Sequence, residues 1–173
     1  MPRTPVDEWN EFNRLRDHFA DRGTKTRTPY RQSSWDKPWW SPGGVKFEIL
    51  APFKSLATSD TRELHDACLV IGVYGSNGRR FLITGDASDQ SLRKIADNTQ
   101  NFCNDVLRAS HHGSDNNADL EFIKKSNADY TVVSTESGVY SNVPGYTAMR
   151  RYRDNTKKKV YRTDKDGSLA WNI

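Results

Sequence analysis

Four side chains in this sequence have the types and placement to hold a divalent cation: His65, Asp86, His111 and His112. Imidazole nitrogen and carboxylate oxygen are the usual ligands of Zn²⁺, Mn²⁺ and Fe²⁺. A carboxylate can also bridge two cations, which lowers their mutual repulsion and lets them share a hydroxide. His65 precedes the apolar run that begins at Leu69. Asp86 ends the segment Phe81-Leu82-Ile83-Thr84-Gly85-Asp86, and His111 and His112 follow Val106-Leu107-Arg108-Ala109-Ser110. These are places where a strand meets a loop, and α/β proteins carry their reactive groups there. Gly85 and Gly113 stand beside them and permit close backbone approach. Taken singly, Asp86 also reads as part of a helix N-terminus and His65 as a surface loop histidine. The four together point to metal chemistry.

The elements that must position these residues follow from hydrophobic period and turn chemistry. Residues 6–20 carry Trp9, Phe12, Leu15 and Phe19 at helical spacing, with Asp7 and Glu8 near the start, where they suit the helix dipole. Residues 23–44, rich in Thr, Ser, Pro, Arg and Trp, read as an irregular connection. Its Trp35, Trp39 and Trp40 either cover the core edge or line a groove. Residues 47–50 form a short strand stopped by Pro52. Residues 69–74 and 80–84 form a hairpin about Asn77-Gly78. Residues 89–97 read as a helix capped by Ser88, with Leu92, Ile95 and Ala96 inward.

Strand and helix then alternate. A strand at 106–109 leads to a helix around Leu120, Phe122 and Ile123, and a strand at 130–134 leads to a helix at 147–153. Residues 159–162 and 168–171 complete the set as strands about a turn at 164–167. This order predicts an α/β layered domain. It divides the chain into an N-terminal helix with its connection, 1–45, and the domain proper, 46–173.

Composition sets the outer bounds. Of 173 residues 35% are hydrophobic, and five Trp, seven Tyr and seven Phe raise the capacity to form a core. A mean hydropathy of −0.85 completes the picture of a folded chain with a polar surface. The net charge of +4 is a mild bias, compatible with an anionic substrate. Its clusters at 150–153 and 157–159 read first as solvated faces and second as a nucleic-acid footprint. Cys68 and Cys103 lie in apolar stretches and read as small buried thiols. No stretch approaches the roughly 20 apolar residues that span a bilayer, and Met1-Pro2-Arg3-Thr4-Pro5 has no apolar signal region. A soluble, cytoplasmic protein is expected.

The motifs also resemble a known family. A loop His65 and a hydrophobic hairpin precede Leu82-Ile83-Thr84-Gly85-Asp86. After these comes Val106-Leu107-Arg108-Ala109-Ser110-His111-His112-Gly113-Ser114. This series is similar to the later motifs of the metallo-β-lactamase superfamily. Within it, the segments look most like the C-terminal hydrolase domain of ComEC-type DNA-uptake proteins and their soluble relatives. The ending Lys159-Val160-Tyr161-Arg162-Thr163-Asp164-Lys165-Asp166-Gly167 resembles the terminal strands of that subfamily, so the resemblance runs over 46–173.

The resemblance implies an αββα sandwich, of which this chain supplies mainly the second, C-terminal sheet and its helices. It implies a metal-dependent hydrolase of phosphodiesterase or nuclease type, with two Zn or Mn ions in the complete site. In that reading His65 completes one metal site, Asp86 is the bridging carboxylate, and His112 is the ligand of the second metal. His111 is the alternative ligand; the other of the pair then orients substrate or donates a proton. Ser114 hydrogen-bonds nearby. A metal-activated hydroxide attacks phosphorus, and the basic segments steer a phosphate backbone.

The sequence departs from the family pattern at two places. The family's first motif, His-x-His-x-Asp-His, is absent, because the chain holds only His18, His65, His111 and His112. Asp17-His18 mimics its end but reads as the surface of a helix. In Tyr140-Ser141-Asn142-Val143-Pro144, Val143 stands where the ComEC-type pattern often has a His. The chain is therefore expected to be a fragment, a late-start product, or one subunit of a split enzyme whose partner brings the first motif. Its sheet should then leave an apolar face uncovered. The rival expectation is a non-catalytic binding or assembly module, and a third is a plain nucleic-acid-binding protein.

Overall fold

The structure is a computed structural model, and it describes residues 5–24, 30–31, 42–60, 63–99, 102, 105–136 and 142–172. Trp35, Trp39, Trp40 and Cys103 lie outside the described residues. The chain is of mixed α/β class, built on one six-stranded sheet whose strands lie in sequence order. These are β1 (Lys46–Ala51), β2 (Val70–Tyr74), β3 (Arg80–Ile83), β4 (Val106–Arg108), β5 (Tyr130–Val133) and β6 (Lys159–Arg162).

The first three strands are antiparallel and the last four run parallel, β3 belonging to both sets. The change of sense follows from connection length. A short turn joins β2 to β3, in which Gly78 adopts φ 82° and the Asn77 side chain accepts from Arg79 N. The parallel strands instead need helical crossovers, and α3 (Asp89–Asn98), α4 (Leu120–Ser126) and α5 (Tyr146–Asn155) supply them.

The three crossover helices share one face of the sheet. Leu92, Ile95 and Ala96 of α3, Phe122 and Ile123 of α4, and Ala148, Met149 and Tyr152 of α5 are buried in one cluster. That cluster also holds Leu50, Val70, Leu82, Leu107 and Val133 from the strands. Ser88 caps α3, accepting from Ser91 N, and Asp119 caps α4, accepting from Phe122 N. Asn127, in the left-handed region at φ 50°, closes α4.

Alternation places Phe81, Val106, Tyr130 and Tyr161 on the opposite face. This face is not bare, contrary to the expectation of an uncovered one. Trp171 lies against Phe81, Tyr130 and Tyr161 with ring centroids 6.2–6.3 Å apart, and Ile49, Val73 and Val106 are almost solvent-free. Ile83, at the end of β3, remains 43% exposed.

The C-terminal segment departs from expectation in the same region. Residues 168–171 form no strand. Thr163–Asp166 is a single helical turn, α6, after which Gly167 takes φ 73° and ψ −153°. The chain then leaves the sheet plane, and Trp171 packs on the aromatic face instead of extending the ladder.

The N-terminal helix, α1 (Pro5–Ala20), forms where its periodicity predicts it. Of its apolar stripe, Phe12, Leu15 and Phe19 stay out of the core, at 40–52% exposed. His18 is exposed, as its helical position requires. Among the described residues no helix is long and apolar enough to cross a membrane.

Candidate functional site

The site lies at the carboxyl ends of the parallel strands, where the sheet edge opens between successive crossovers. Three loops meet there. One follows β3 and carries Gly85 and Asp86, a second follows β4 and carries residues 110–114, and the third follows β5 and carries Asn142 and Val143. Asp86, His111, His112, Ser114, Asn142 and Val143 line an open cleft of about 330 Å³.

A dense hydrogen-bond network holds the first two loops together. The Gly85 carbonyl accepts from His111 N at 3.1 Å and from the Arg108 guanidinium at 2.8 Å. The Ser110 hydroxyl donates to the Ala87 carbonyl at 2.8 Å, and the Thr84 hydroxyl to that of Arg108 at 2.7 Å. Gly85 has φ 55°, and a Cβ there would meet the Leu69 carbonyl oxygen at 3.0 Å. The Thr-Gly-Asp segment thus needs its glycine for both conformation and space.

His111, His112 and Gly113 are three successive residues in the left-handed region, at φ 44°, 55° and 79°. For a non-glycine residue that region costs about 1–2 kcal/mol. Strain of this kind persists only where the surroundings enforce it, and it concentrates at functional sites. Here the surroundings are visible. His112 Nδ1 lies 2.6 Å from the Ser134 carbonyl oxygen. A carbonyl oxygen can only accept, so Nδ1 carries a proton, and in the neutral imidazole Nε2 then keeps the lone pair. His111 Nδ1 lies 2.9 Å from Asn117 Oδ1.

His65 arrives from a separate element, the 3-10 turn Leu64–Ala67. Its ring packs against that of His111, with centroids 4.5 Å apart. Asp66 fixes this turn. Its carboxylate, 2% exposed, accepts from Glu63 N and from the Ser88 hydroxyl. Ser88 therefore caps α3 and anchors the His65 turn at once.

Ser88→Ala is expected to lower stability by about 2–3 kcal/mol. About 1 kcal/mol of that comes from the lost cap, and the rest from a buried carboxylate that loses its hydroxyl donor and keeps only Glu63 N. Chemical denaturation checks this; a loss under about 0.5 kcal/mol would show that the anchor is dispensable.

Cys68 is half-buried rather than buried. It packs on the edge of the core, and burial pushes its thiol pKa up.

All four residues singled out from the sequence thus reach this end of the sheet. Asp86, His111 and His112 share the cleft, and His65 joins through the ring of His111. Their number is the shortfall: among the described residues, no three His, Cys, Asp or Glu side chains converge as a metal-binding group. The donor chemistry fits a cation, while the donor count falls below the three or four ligands such ions take. Asn117, Asp66 and the Ser134 carbonyl were not legible as site residues, since each acts through a contact distant in sequence. Only Glu63 and Asp66, at capping-box spacing, left a local signal.

No family model matches the chain. It is similar to ComE operon protein 3 of Bacillus subtilis (strain 168), with 22% identity over 127 residues. That match covers 73% of this chain and 16% of the relative, so the chain spans a small part of that protein's length.

Proposed function

We propose that this chain is the metal-binding half of a metallo-β-lactamase-type hydrolase acting on phosphodiesters, with its ligand set completed by a segment outside the described residues. One observation carries the reading. Two adjacent histidines are held in a costly left-handed backbone beside Asp86, and His112 is pinned through Nδ1 so that Nε2 is free. Fixing one ring nitrogen on a carbonyl is how proteins prepare the other for a metal. The distant similarity to ComE operon protein 3 agrees with the competence-type resemblance of the motifs.

In this proposal His65, Asp86 and His112 offer the metal donors, while His111 either joins them or holds a proton near the substrate. The ion, Zn²⁺ or Mn²⁺, supplies when bound a water acidic enough to react near neutral pH. The chain's own groups do the remaining work. Asp86 offers its carboxyl oxygens to a cation in the cleft, the Gly85 and Ala87 carbonyls hold the histidine loop in place, and Val143 walls one side. The basic segments give the nucleic-acid part of the proposal little support. Lys157 and Lys158 both face Asp129, and Lys159 pairs with Asp166, so much of their field is cancelled locally.

The shortage of converging donors favours a second reading, a binding or assembly module that lacks a complete site. Metal analysis decides between them. The metal-binding reading predicts that the pure chain, titrated with Zn²⁺ or Mn²⁺ without desalting, binds weakly and saturates near one equivalent. It also predicts that Asp86→Ala releases the metal. No saturable binding, or binding unaffected by that substitution, would favour the module.

A further inference from the structure

Asn117 belongs to no motif, yet it links the two loops that form the cleft. It sits on the 3-10 turn Asp115–Asn117 and is 4% exposed. Its amide nitrogen lies 3.0 Å from the Ala87 carbonyl oxygen and 3.4 Å from that of Asp86. Both of those oxygens can only accept, so this end of the amide must be the NH₂ group and the opposite end its oxygen. That oxygen faces His111 Nδ1 at 2.9 Å. An amide oxygen can only accept in turn, so Nδ1 carries the proton, and a neutral imidazole then bears its lone pair on Nε2.

We propose that Asn117 is the positioning residue that locks His111 in its Nδ1-protonated tautomer, with Nε2 presented for ligation, and couples that orientation to the Asp86 loop. Free histidine in water prefers the proton on Nε2, so the locked form has to be imposed. Turning the ring over would place a carbon where Nδ1 now donates, and the packing of His65 on the ring opposes such a turn. The same amide reads the position of the Asp86 and Ala87 carbonyls. The orientation of His111 is thereby tied to the Asp86 loop, which is the arrangement a shared ligand would need. His111 and His112 then present their lone pairs in the same way, one held by a side chain and the other by the Ser134 carbonyl.

The consequence for metal binding rests on the proposed function, but the tautomer itself does not. It is read by long-range proton–nitrogen correlation on the metal-free full chain with labelled histidine, at a mildly alkaline pH. The wild-type His111 ring should show its proton on Nδ1. N117A should move the population toward the Nε2-protonated form, and so should N117S, whose side chain is too short to reach Nδ1. A wild-type ring protonated on Nε2, or an N117A spectrum unchanged from wild type, overturns the proposal. Should N117A fail to fold, the wild-type and N117S spectra still decide it.

Zinc titration against a competing chelator adds the functional arm. N117A should bind about 10–100-fold more weakly, and equal affinity would remove Asn117 from the metal's service. A wild-type chain with the expected tautomer and no zinc affinity would instead overturn the metal-binding reading and leave the positioning role standing.

Discussion

Tyr152→Ala is expected to cost about 3–5 kcal/mol of stability, and Tyr152→Phe about 1–3 kcal/mol with a disturbance centred on residues 110–113. The two numbers separate two roles of one side chain. Tyr152 is 1% exposed and stands in the cluster that joins α5 to the sheet. Truncation there removes a ring from a close-packed interior and leaves a cavity that the strands cannot collapse into. Its hydroxyl meanwhile accepts from Ser110 N at 3.3 Å, directly before the paired histidines. Burial pushes the phenol pKa well up, so the group stays neutral under ordinary conditions. Tyr152→Phe keeps the ring and deletes this acceptor, and Ser110 is fully buried, so water has no easy access to replace it. Urea denaturation should show a lower midpoint with an unchanged slope. Hydrogen exchange should locate the loss at the histidine loop. A variant within about 0.5 kcal/mol of wild type would mean that the hydroxyl does not couple core to site.

The sheet was legible in the sequence where period and turn chemistry agreed. The Asn77-Gly78 hairpin, the Ser88-capped helix with Leu92, Ile95 and Ala96 inward, and the alternating strands and helices beyond it all form as their patterns dictate. Two features were not legible because the contacts that decide them lie far away in the chain. Residues 168–171 have strand composition, but Gly167 turns the backbone out of the ladder and Trp171 finds three aromatic rings to cover. Phe12, Leu15 and Phe19 satisfy the helical period, which fixes the helix without naming what its stripe will meet.

The site divides in the same way. The four candidate residues were recognisable because strand ends and glycines mark them locally. The groups that aim them were not recognisable. Asn117 reaches the Asp86 loop across 31 residues of sequence, and the Ser134 carbonyl meets His112 across 22. A backbone carbonyl has no side-chain signature at all. Nor did the motif foretell that both histidines would be left-handed, since Gly113 announces one such residue and not three.

That backbone makes His112 the sharpest test of whether the loop is built for ligation. Replacing it with alanine keeps the left-handed strain of about 1–2 kcal/mol and forfeits the hydrogen bond to Ser134, about 0.5–1.5 kcal/mol. Replacing it with glycine forfeits the same bond but releases the strain, against about 0.5–1 kcal/mol of added backbone entropy in the unfolded chain. The glycine variant should therefore sit near wild-type stability, and above the alanine variant by about 1 kcal/mol. On the proposed metal-binding function, affinity should move the other way. Zinc affinity should fall by about 100-fold or more in both variants, beyond what loss of an orienting partner alone causes. Adding Asp86→Ala should worsen it by less than the two single losses combined, as expected of ligands that serve one ion. A residue that evolution placed for stability would show the opposite pairing, with glycine costly and zinc affinity untouched. Retained stability with lost metal marks strain kept for a purpose, and it would tie the left-handed histidine pair to chemistry rather than to the fold.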